Sequence, residues 1–239
     1  MSETSRMWIE VIFNLTYLAV IWSLVIVMIL RRGSVPAGKK RTADLFTLAF
    51  ALLALGDTGH VGFRAVAYLI GDLSAVFRIG GHTLGLIGLG ALATGFTVTI
   101  FYMLMLEIWH ERFQKPHGIL TAALLFAGLV RLGIMALPFN NWSSPVPVQP
   151  WSTLRNIPLI IQGLGVIFLF TREGIRNKDH TFLWIAFSIF ISYLCYLPVI
   201  LFVQQIPLLG MLMIPKTLAY LAVAWLAYRN LYPQPLLQR

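Results

Sequence analysis

Charged residues are scarce in this chain: Asp, Glu, Lys and Arg together make up 11% of its 239 residues. A soluble globular domain has roughly a quarter of its residues charged. Hydrophobic residues account for 58% of the chain, and the mean hydropathy is +0.79. This composition excludes an ordinary soluble domain. It indicates a polytopic membrane protein with several apolar segments long enough to cross a bilayer.

Cysteine and the common catalytic motifs are also nearly absent. The single Cys195 excludes an intrachain disulfide and a cysteine-based metal site. The sequence has no Gly-x-Ser-x-Gly motif, no nucleotide-binding loop and no paired carboxylates within one segment. We therefore favour a function other than catalysis, although a membrane-embedded hydrolase with scattered catalytic residues stays an alternative. No internal repeat or soluble domain is visible.

Acidic residues are half as frequent as basic ones, nine against eighteen, which gives a net charge of +9. Twelve of the basic residues lie in alternate loops between apolar segments and at the C-terminus: Arg31, Arg32, Lys39, Lys40, Arg41, Arg112, Lys115, Arg172, Arg176, Lys178, Arg229 and Arg239. This pattern is typical of cytoplasmic loops. It predicts an N-terminus outside, a C-terminus inside, anionic lipids at the cytoplasmic face of the cell membrane, and no nucleic-acid partner.

The apolar runs predict an all-α bundle of seven transmembrane helices that forms a single domain over residues 1–239. The expected spans are 7–30, 43–70, 77–109, 118–137, 153–170, 182–203 and 207–228. The third span is rich in glycine where it begins. Gly81 and Gly85 form a small-xxx-small pair, which would let another helix approach closely.

Three polar residues interrupt the second span at helical spacing. Asp57, His60 and Arg64 are placed at i, i+3 and i+7, so they share one face of a helix. Charged groups at membrane depth are costly and usually mark a functional site. Lys216 in the last span is the natural partner of Asp57, because an adjacent carboxylate and ammonium keep each other ionised. The structural alternative is a pair of ion pairs that only fix packing, Asp57 with Lys216 and Arg64 with Glu10.

We expect these residues to form a polar pocket in the outer half of the bundle, between spans two, three and seven. The leading hypothesis is a transporter or a receptor-like sensor for a small molecule or ion. Arg64 and Lys216 would hold an anionic group, while Asp57 and His60 sense or relay protons. The other candidate ligand-binding residues are Glu10, Asn14, His82, Arg131, Gln162, Tyr193 and Tyr196. Arg131 lies near the outer end of its span and could extend outward, and Trp142 and Trp151 suit the headgroup level.

Lys216 also suggests a second interpretation. A lysine in the last of seven helices, with the N-terminus outside, resembles the arrangement of retinal-binding proteins, in which such a lysine carries a Schiff base. Microbial rhodopsins have an aspartate four residues before this lysine, where this chain has Leu212. They also have an acidic counterion in the middle of helix three, where this chain has Thr94, Thr97 and Thr99. The resemblance implies retinal bound to Lys216. Because the middle of helix three has no acidic residue, Asp57 on the second span would have to act as the counterion.

Two further alternatives remain open from the sequence. His60 and His82 could form a bis-imidazole haem or metal site across two helices. The chain could instead be a structural subunit of a membrane complex or a homo-oligomer, with its polar face covered by a partner helix or lipid.

Overall fold

The fold is a bundle of seven helices with one short β-hairpin. The computed structural model describes residues 3–79 and 81–233, without the side chains of residues 3–7, 79 and 82. The helices are α1 (Glu3–Leu30), α2 (Lys40–Leu69), α3 (Leu86–Phe113), α4 (Ile119–Ala136), α5 (Trp151–Arg176), α6 (His180–Phe202) and α7 (Met213–Leu231). The hairpin consists of β1 (Val76–Ile79) and β2 (His82–Gly85). Short 3-10 turns cover Arg32–Ser34, Ala37–Lys39, Pro138–Asn140 and Pro207–Leu212.

The prediction of seven membrane-spanning helices is confirmed. In the described part of the chain, seven helices are long and apolar enough to cross a membrane. Helices are favoured there because lipid offers no partners for backbone N–H and C=O groups, so these groups must bond within the segment. Large apolar side chains such as Phe126, Phe168 and Trp184 point outward from the bundle. The chain is therefore a multi-pass membrane protein.

The helix ends that carry the basic loops meet at one end of the bundle, here called the basic end. Arg41 pairs with Glu111 at 2.9 Å, and Lys115 pairs with Glu173 at 3.6 Å. Glu173 is buried, and it lies in the part of α5 that extends past the predicted limit of residue 170. The ion pair of Glu173 with Lys115 thus supports α5 beyond the end of its apolar run.

Asp179 connects α3 to the start of α6 at the basic end. Its carboxylate accepts hydrogen bonds from the Arg112 guanidinium at 2.7 and 3.0 Å and from the Phe182 backbone N–H at 3.3 Å. The hydrogen bond from the Phe182 N–H caps α6. A lost cap costs about 1 kcal/mol, and a partly exposed ion pair adds up to about 1 kcal/mol.

We expect Asp179→Ala to lower the free energy of unfolding by about 2 kcal/mol, since both contacts are lost. Thermal unfolding of the purified protein in detergent measures this loss. Asp179→Asn is the matched control, because an amide oxygen still caps the helix but carries no charge, and it should recover about half of the loss. Equal melting temperatures for Asp179→Ala and the unaltered protein would contradict this role.

The prediction for the third span was wrong at its beginning. The helix starts only at Leu86, because residues 76–79 and 82–85 before it pair as antiparallel strands, with Val76 opposite Gly85. Gly81 lies at the turn with φ of +83°, a conformation that glycine adopts without steric cost. Gly81 and Gly85 therefore do not form a helix-packing pair.

A long connection between α4 and α5, residues 137–150, covers the end of the bundle opposite the basic end. It touches the start of α3, where the Gly85 N–H donates to the Trp142 carbonyl oxygen at 3.0 Å. Gly88 lies one helical turn further along. A Cβ added at Gly88 would be 1.8 Å from that same carbonyl oxygen. Glycine at position 88 is therefore what lets this connection, here called the α4–α5 connection, lie against α3.

The basic half of the bundle is filled with aromatic side chains. Phe46, Phe50, Phe101, Phe170 and Phe182 are buried and in contact through ring pairs 5.1–6.4 Å apart. Close packing of these large rings leaves little space in this half. A large cavity lies in the other half.

Candidate functional site

A cavity of about 490 Å³ occupies the half of the bundle beneath the α4–α5 connection. Residues of all seven helices and of the connection line it. Its size is within the range of about 300–1,000 Å³ that is usual for small-molecule sites. We call it the polar cavity, because several charged side chains of both signs lie on its wall.

Asp57 is fixed on the polar cavity wall by α1. Its Oδ2 accepts a hydrogen bond of 2.8 Å from the Tyr17 hydroxyl, and Tyr17 is buried between the two helices. Next to this pair, the Trp22 indole donates to Thr58 Oγ1 at 2.9 Å. Two polar contacts thus hold α1 against α2, which fixes the position of the carboxylate.

Lys216 lies on the opposite wall, on α7. Its Nζ is 4.5 Å from the ring centre of Tyr196 and 5.5 Å from that of Tyr220, as in a cation–π contact. Lys216 and Asp57 both line the polar cavity, and their opposite charges attract each other. Within the described residues, however, Lys216 makes no hydrogen bond and no ion pair within 4.0 Å. The predicted direct pair with Asp57 is therefore not formed, and the ammonium group is available to a ligand.

Arg131 connects three helices instead of extending outward. It is only 3% exposed. Its Nε donates to the Arg155 carbonyl oxygen at 2.9 Å, and its Nη1 donates to the Gly95 carbonyl oxygen at 2.8 Å and to Thr99. The suggestion that it extends to the outer surface was wrong, because these acceptors on α3 and α5 hold it inside the bundle.

Arg155 lies next to Arg131 on the same wall and is 8% exposed. Its Nη1 donates to Asn140 Oδ1 at 3.1 Å, and its guanidinium is 4.5 Å from the ring centre of Trp142. The Trp142 indole N–H donates to the Met135 carbonyl oxygen at 3.1 Å. Trp142 therefore lines the polar cavity, where both its ring and its N–H find partners, and its position at the headgroup level stays a prediction.

Two tyrosines, Tyr193 and Tyr220, line the polar cavity on the side of the basic end, and Tyr102 packs against both of them; we call these three residues the tyrosine floor. Tyr102, Tyr193 and Tyr220 are buried, and the hydroxyls of Tyr102 and Tyr220 are 2.7 Å apart. The Tyr193 hydroxyl donates to the Leu159 carbonyl oxygen at 2.8 Å. The phenylalanine cluster continues beneath this tyrosine floor. A ligand in the cavity thus lies on a closed aromatic layer.

Positive charge is in excess on the wall of the polar cavity. Four basic side chains line it, Arg64, Arg131, Arg155 and Lys216, against two carboxylates, Glu10 and Asp57. Among the described residues, neither Arg131 nor Arg155 has a carboxylate within 4.0 Å. Buried charges in proteins are normally paired. An anion would supply the missing negative charge.

Nine of the residues predicted to bind ligand line the polar cavity: Glu10, Asn14, Asp57, His60, Arg64, Arg131, Tyr193, Tyr196 and Lys216. Gln162 does not. It is buried between α4 and α5, where its amide donates to the Leu124 carbonyl oxygen at 3.0 Å. The side chain of His82 lies outside the described part of the structure, so the bis-imidazole hypothesis stays a prediction.

Several wall residues were not predicted as ligand-binding residues: Tyr17, Asn140, Trp142, Arg155, Asn156 and Tyr220. Tyr220 follows Lys216 by four residues, and this helical spacing could have identified it. Arg155 and Asn156 are polar residues at the start of an apolar span, which is a weaker signal. Nothing in the sequence indicates that Asn140 and Trp142 fold back over the bundle.

The fold and this site define the class of protein: a multi-pass membrane protein with a large polar cavity in one half of its helix bundle. Across the described residues, no group of three or more His, Cys, Asp and Glu side chains could hold a metal ion. No protein-family model, curated protein or solved structure matches the chain.

Proposed function

We propose that the protein binds a small anionic molecule in the polar cavity and acts as a transporter or a receptor-like sensor for it. The observation that carries this proposal is the excess of basic side chains on the wall of a ligand-sized cavity. An anion near Lys216, Arg131 and Arg155 would gain charge-assisted hydrogen bonds in a medium of low dielectric constant.

Each polar group has a role in this proposal. Arg64 is exposed in the part of α2 that lies away from the basic end, and it would attract the anion. Lys216 would add its positive charge to the binding of the anion inside the cavity. Asp57 and His60 would exchange protons as the ligand enters or leaves, since both are titratable and line the same wall.

The orientation follows from the distribution of basic residues. We propose that the basic end faces the cytoplasm and its anionic lipids, so that the polar cavity opens to the outside of the cell membrane. The tyrosine floor then separates the ligand from the cytoplasm. A transporter would have to open this floor, whereas a sensor would only transmit a shift in it.

A panel of small ions tests the proposal on the purified protein. Benzoate, octanoate, naphthalene-2-sulfonate and inorganic phosphate are compared with choline and tetramethylammonium by thermal unfolding in detergent. A ligand at about a hundred times its Kd stabilises the folded state by about 2.7 kcal/mol. We expect at least one anion, and neither cation, to raise the melting temperature. A rise with the cations, or with none of the anions, would contradict the proposal.

The position of Lys216 favours a second candidate function, a retinal-binding photoreceptor or pump. The amine lies on the wall of the polar cavity beside two aromatic rings, and the Asp57 carboxylate on the same cavity could act as counterion. The amine nitrogen would form a C=N bond with the aldehyde carbon of retinal, and the carbonyl oxygen would leave as water. Protein reconstituted with retinal should absorb visible light and lose this band in Lys216→Met. A colourless wild-type sample would eliminate this candidate.

A further inference from the structure

We propose that the anionic group of the ligand binds between Arg131 and Arg155, beneath Trp142, and that the ligand is an organic carboxylate with an apolar body. This inference depends on the proposed function, because it assigns a position and a chemical class to the bound anion. We call the position the arginine site.

The first argument is the set of hydrogen-bond donors that remain free. Arg131 uses Nε and Nη1 to bind α3 and α5, and Arg155 uses Nη1 to bind Asn140. Nη2 of Arg131 and both Nε and Nη2 of Arg155 make no hydrogen bond within the described ranges. Three donor nitrogens on neighbouring planar groups can serve the two oxygens of a carboxylate, which guanidinium groups often bind in pairs of hydrogen bonds.

The second argument is the energetic cost of burying the two positive charges of Arg131 and Arg155 next to each other. Both arginines are buried, lie next to each other and have the same sign. They share the wall with amides rather than acids, namely Asn140 and Asn156. Each Arg131 contact already described is to a carbonyl or hydroxyl oxygen, which leaves the positive charge uncompensated. A bound anion would remove the repulsion between the two guanidinium groups as well as pair each of them.

The third argument concerns the rest of the ligand. Apolar side chains also line the polar cavity, among them Met135 on α4, Leu159 on α5 and Val199 on α6. The Trp142 ring lies over the Arg155 guanidinium. A small inorganic anion would leave this apolar surface in contact with water, whereas an aromatic or alkyl body would cover it. We therefore expect a carboxylate with an apolar body to bind more tightly than inorganic phosphate.

A fluorescence titration with 4-bromobenzoate tests the arginine site. Bromine quenches tryptophan only at short range, so binding beneath Trp142 should quench that residue. The difference between wild type and Trp142→Phe isolates its signal from the other tryptophans. We expect 4-bromobenzoate to quench the Trp142 signal of the wild type saturably. Inorganic phosphate should not quench this signal, and neutral 4-bromobenzyl alcohol should quench it much more weakly.

Charge variants then locate the anionic group. Arg155→Gln should weaken 4-bromobenzoate binding at least about tenfold, since it removes a charge-assisted hydrogen bond. Arg155→Lys keeps the charge but not the planar fork, so its affinity should be intermediate, and it serves as a second variant if Arg155→Gln does not fold. Arg78→Gln is the matched control, because Arg78 is exposed on β1 and does not line the polar cavity.

The outcomes separate the two proposals. If Lys216→Met abolishes binding while Arg155→Gln and Arg155→Lys bind like wild type, the anion is at Lys216 and the arginine site is wrong, but the proposed function stands. If inorganic phosphate competes as well as 4-bromobenzoate, the ligand class is wrong. If the affinity is the same in wild type and in both the Lys216 and Arg155 variants, neither proposal holds.

Discussion

Lys216→Met is expected to weaken the binding of any anion that stabilises the protein by about ten- to a hundredfold. Methionine has nearly the volume of lysine, so the polar cavity keeps its shape while losing one of its four basic groups. A hydrogen bond to a charged group contributes about 1.5–3 kcal/mol, and each 1.4 kcal/mol is a factor of ten in Kd. Isothermal titration with benzoate on the purified variant measures the change.

Two other variants, Lys216→Arg and Asp57→Asn, serve as controls for this prediction. Lys216→Arg keeps the positive charge and the contact with Tyr196 and Tyr220, and it should retain most of the affinity. Asp57→Asn removes the opposing negative charge, so benzoate should bind at least as tightly as to wild type. An affinity for Lys216→Met equal to that of wild type would contradict the electrostatic account. A loss in Asp57→Asn as large as in Lys216→Met would contradict it too.

Gly88→Ala is expected to give the largest loss of stability among conservative substitutions at the cavity end of the bundle. The added methyl would lie 1.8 Å from the Trp142 carbonyl oxygen and 2.7 Å from its carbon. These are backbone atoms, so no rotamer change relieves the clash. Overpacking usually costs about 1–3 kcal/mol, and we expect about 3 kcal/mol here, as judged by thermal unfolding in detergent.

Gly133→Ala is the matched control, because an added Cβ there meets nothing within 4 Å. This substitution should stabilise α4 by up to about 1 kcal/mol through helix propensity. Gly88→Ala should also weaken anion binding, since it displaces the α4–α5 connection and Trp142 with it. Similar melting temperatures for the two variants would show that the connection does not lie against α3 as described.

The sequence predicted the helices well because the bilayer imposes a simple rule. About 20 apolar residues are needed per crossing, and the seven runs meet it clearly. The errors lie at the ends of the third and fifth spans, where the apolar run and the helix do not have the same limits. Residues 77–85 are apolar enough to continue the third span, yet Gly81 favours a turn, and β1 and β2 pair as strands there. Polar residues 171–176 lie past the apolar run but continue α5, because Glu173 is paired at the basic end.

The candidate site could be predicted in part for a similar reason. Asp57 and Lys216 are conspicuous because charges are rare at membrane depth, and both line the polar cavity. Their partners could not be predicted, because contacts between helices depend on the rotation of each helix. Gln162 faces Leu124 instead of the cavity for this reason. Trp142 and Asn140 reach the cavity through a turn whose path the hydropathy pattern does not encode.

The most direct test is to locate the anion itself. A crystal structure of the purified protein with 4-bromobenzoate, measured at the bromine absorption edge, would place the halogen independently of the phases of the protein. We predict an anomalous peak inside the polar cavity, with the carboxylate on Arg131 and Arg155 and Lys216 within reach. A peak only in the detergent belt, or a cavity that holds nothing at saturating ligand, would contradict the account.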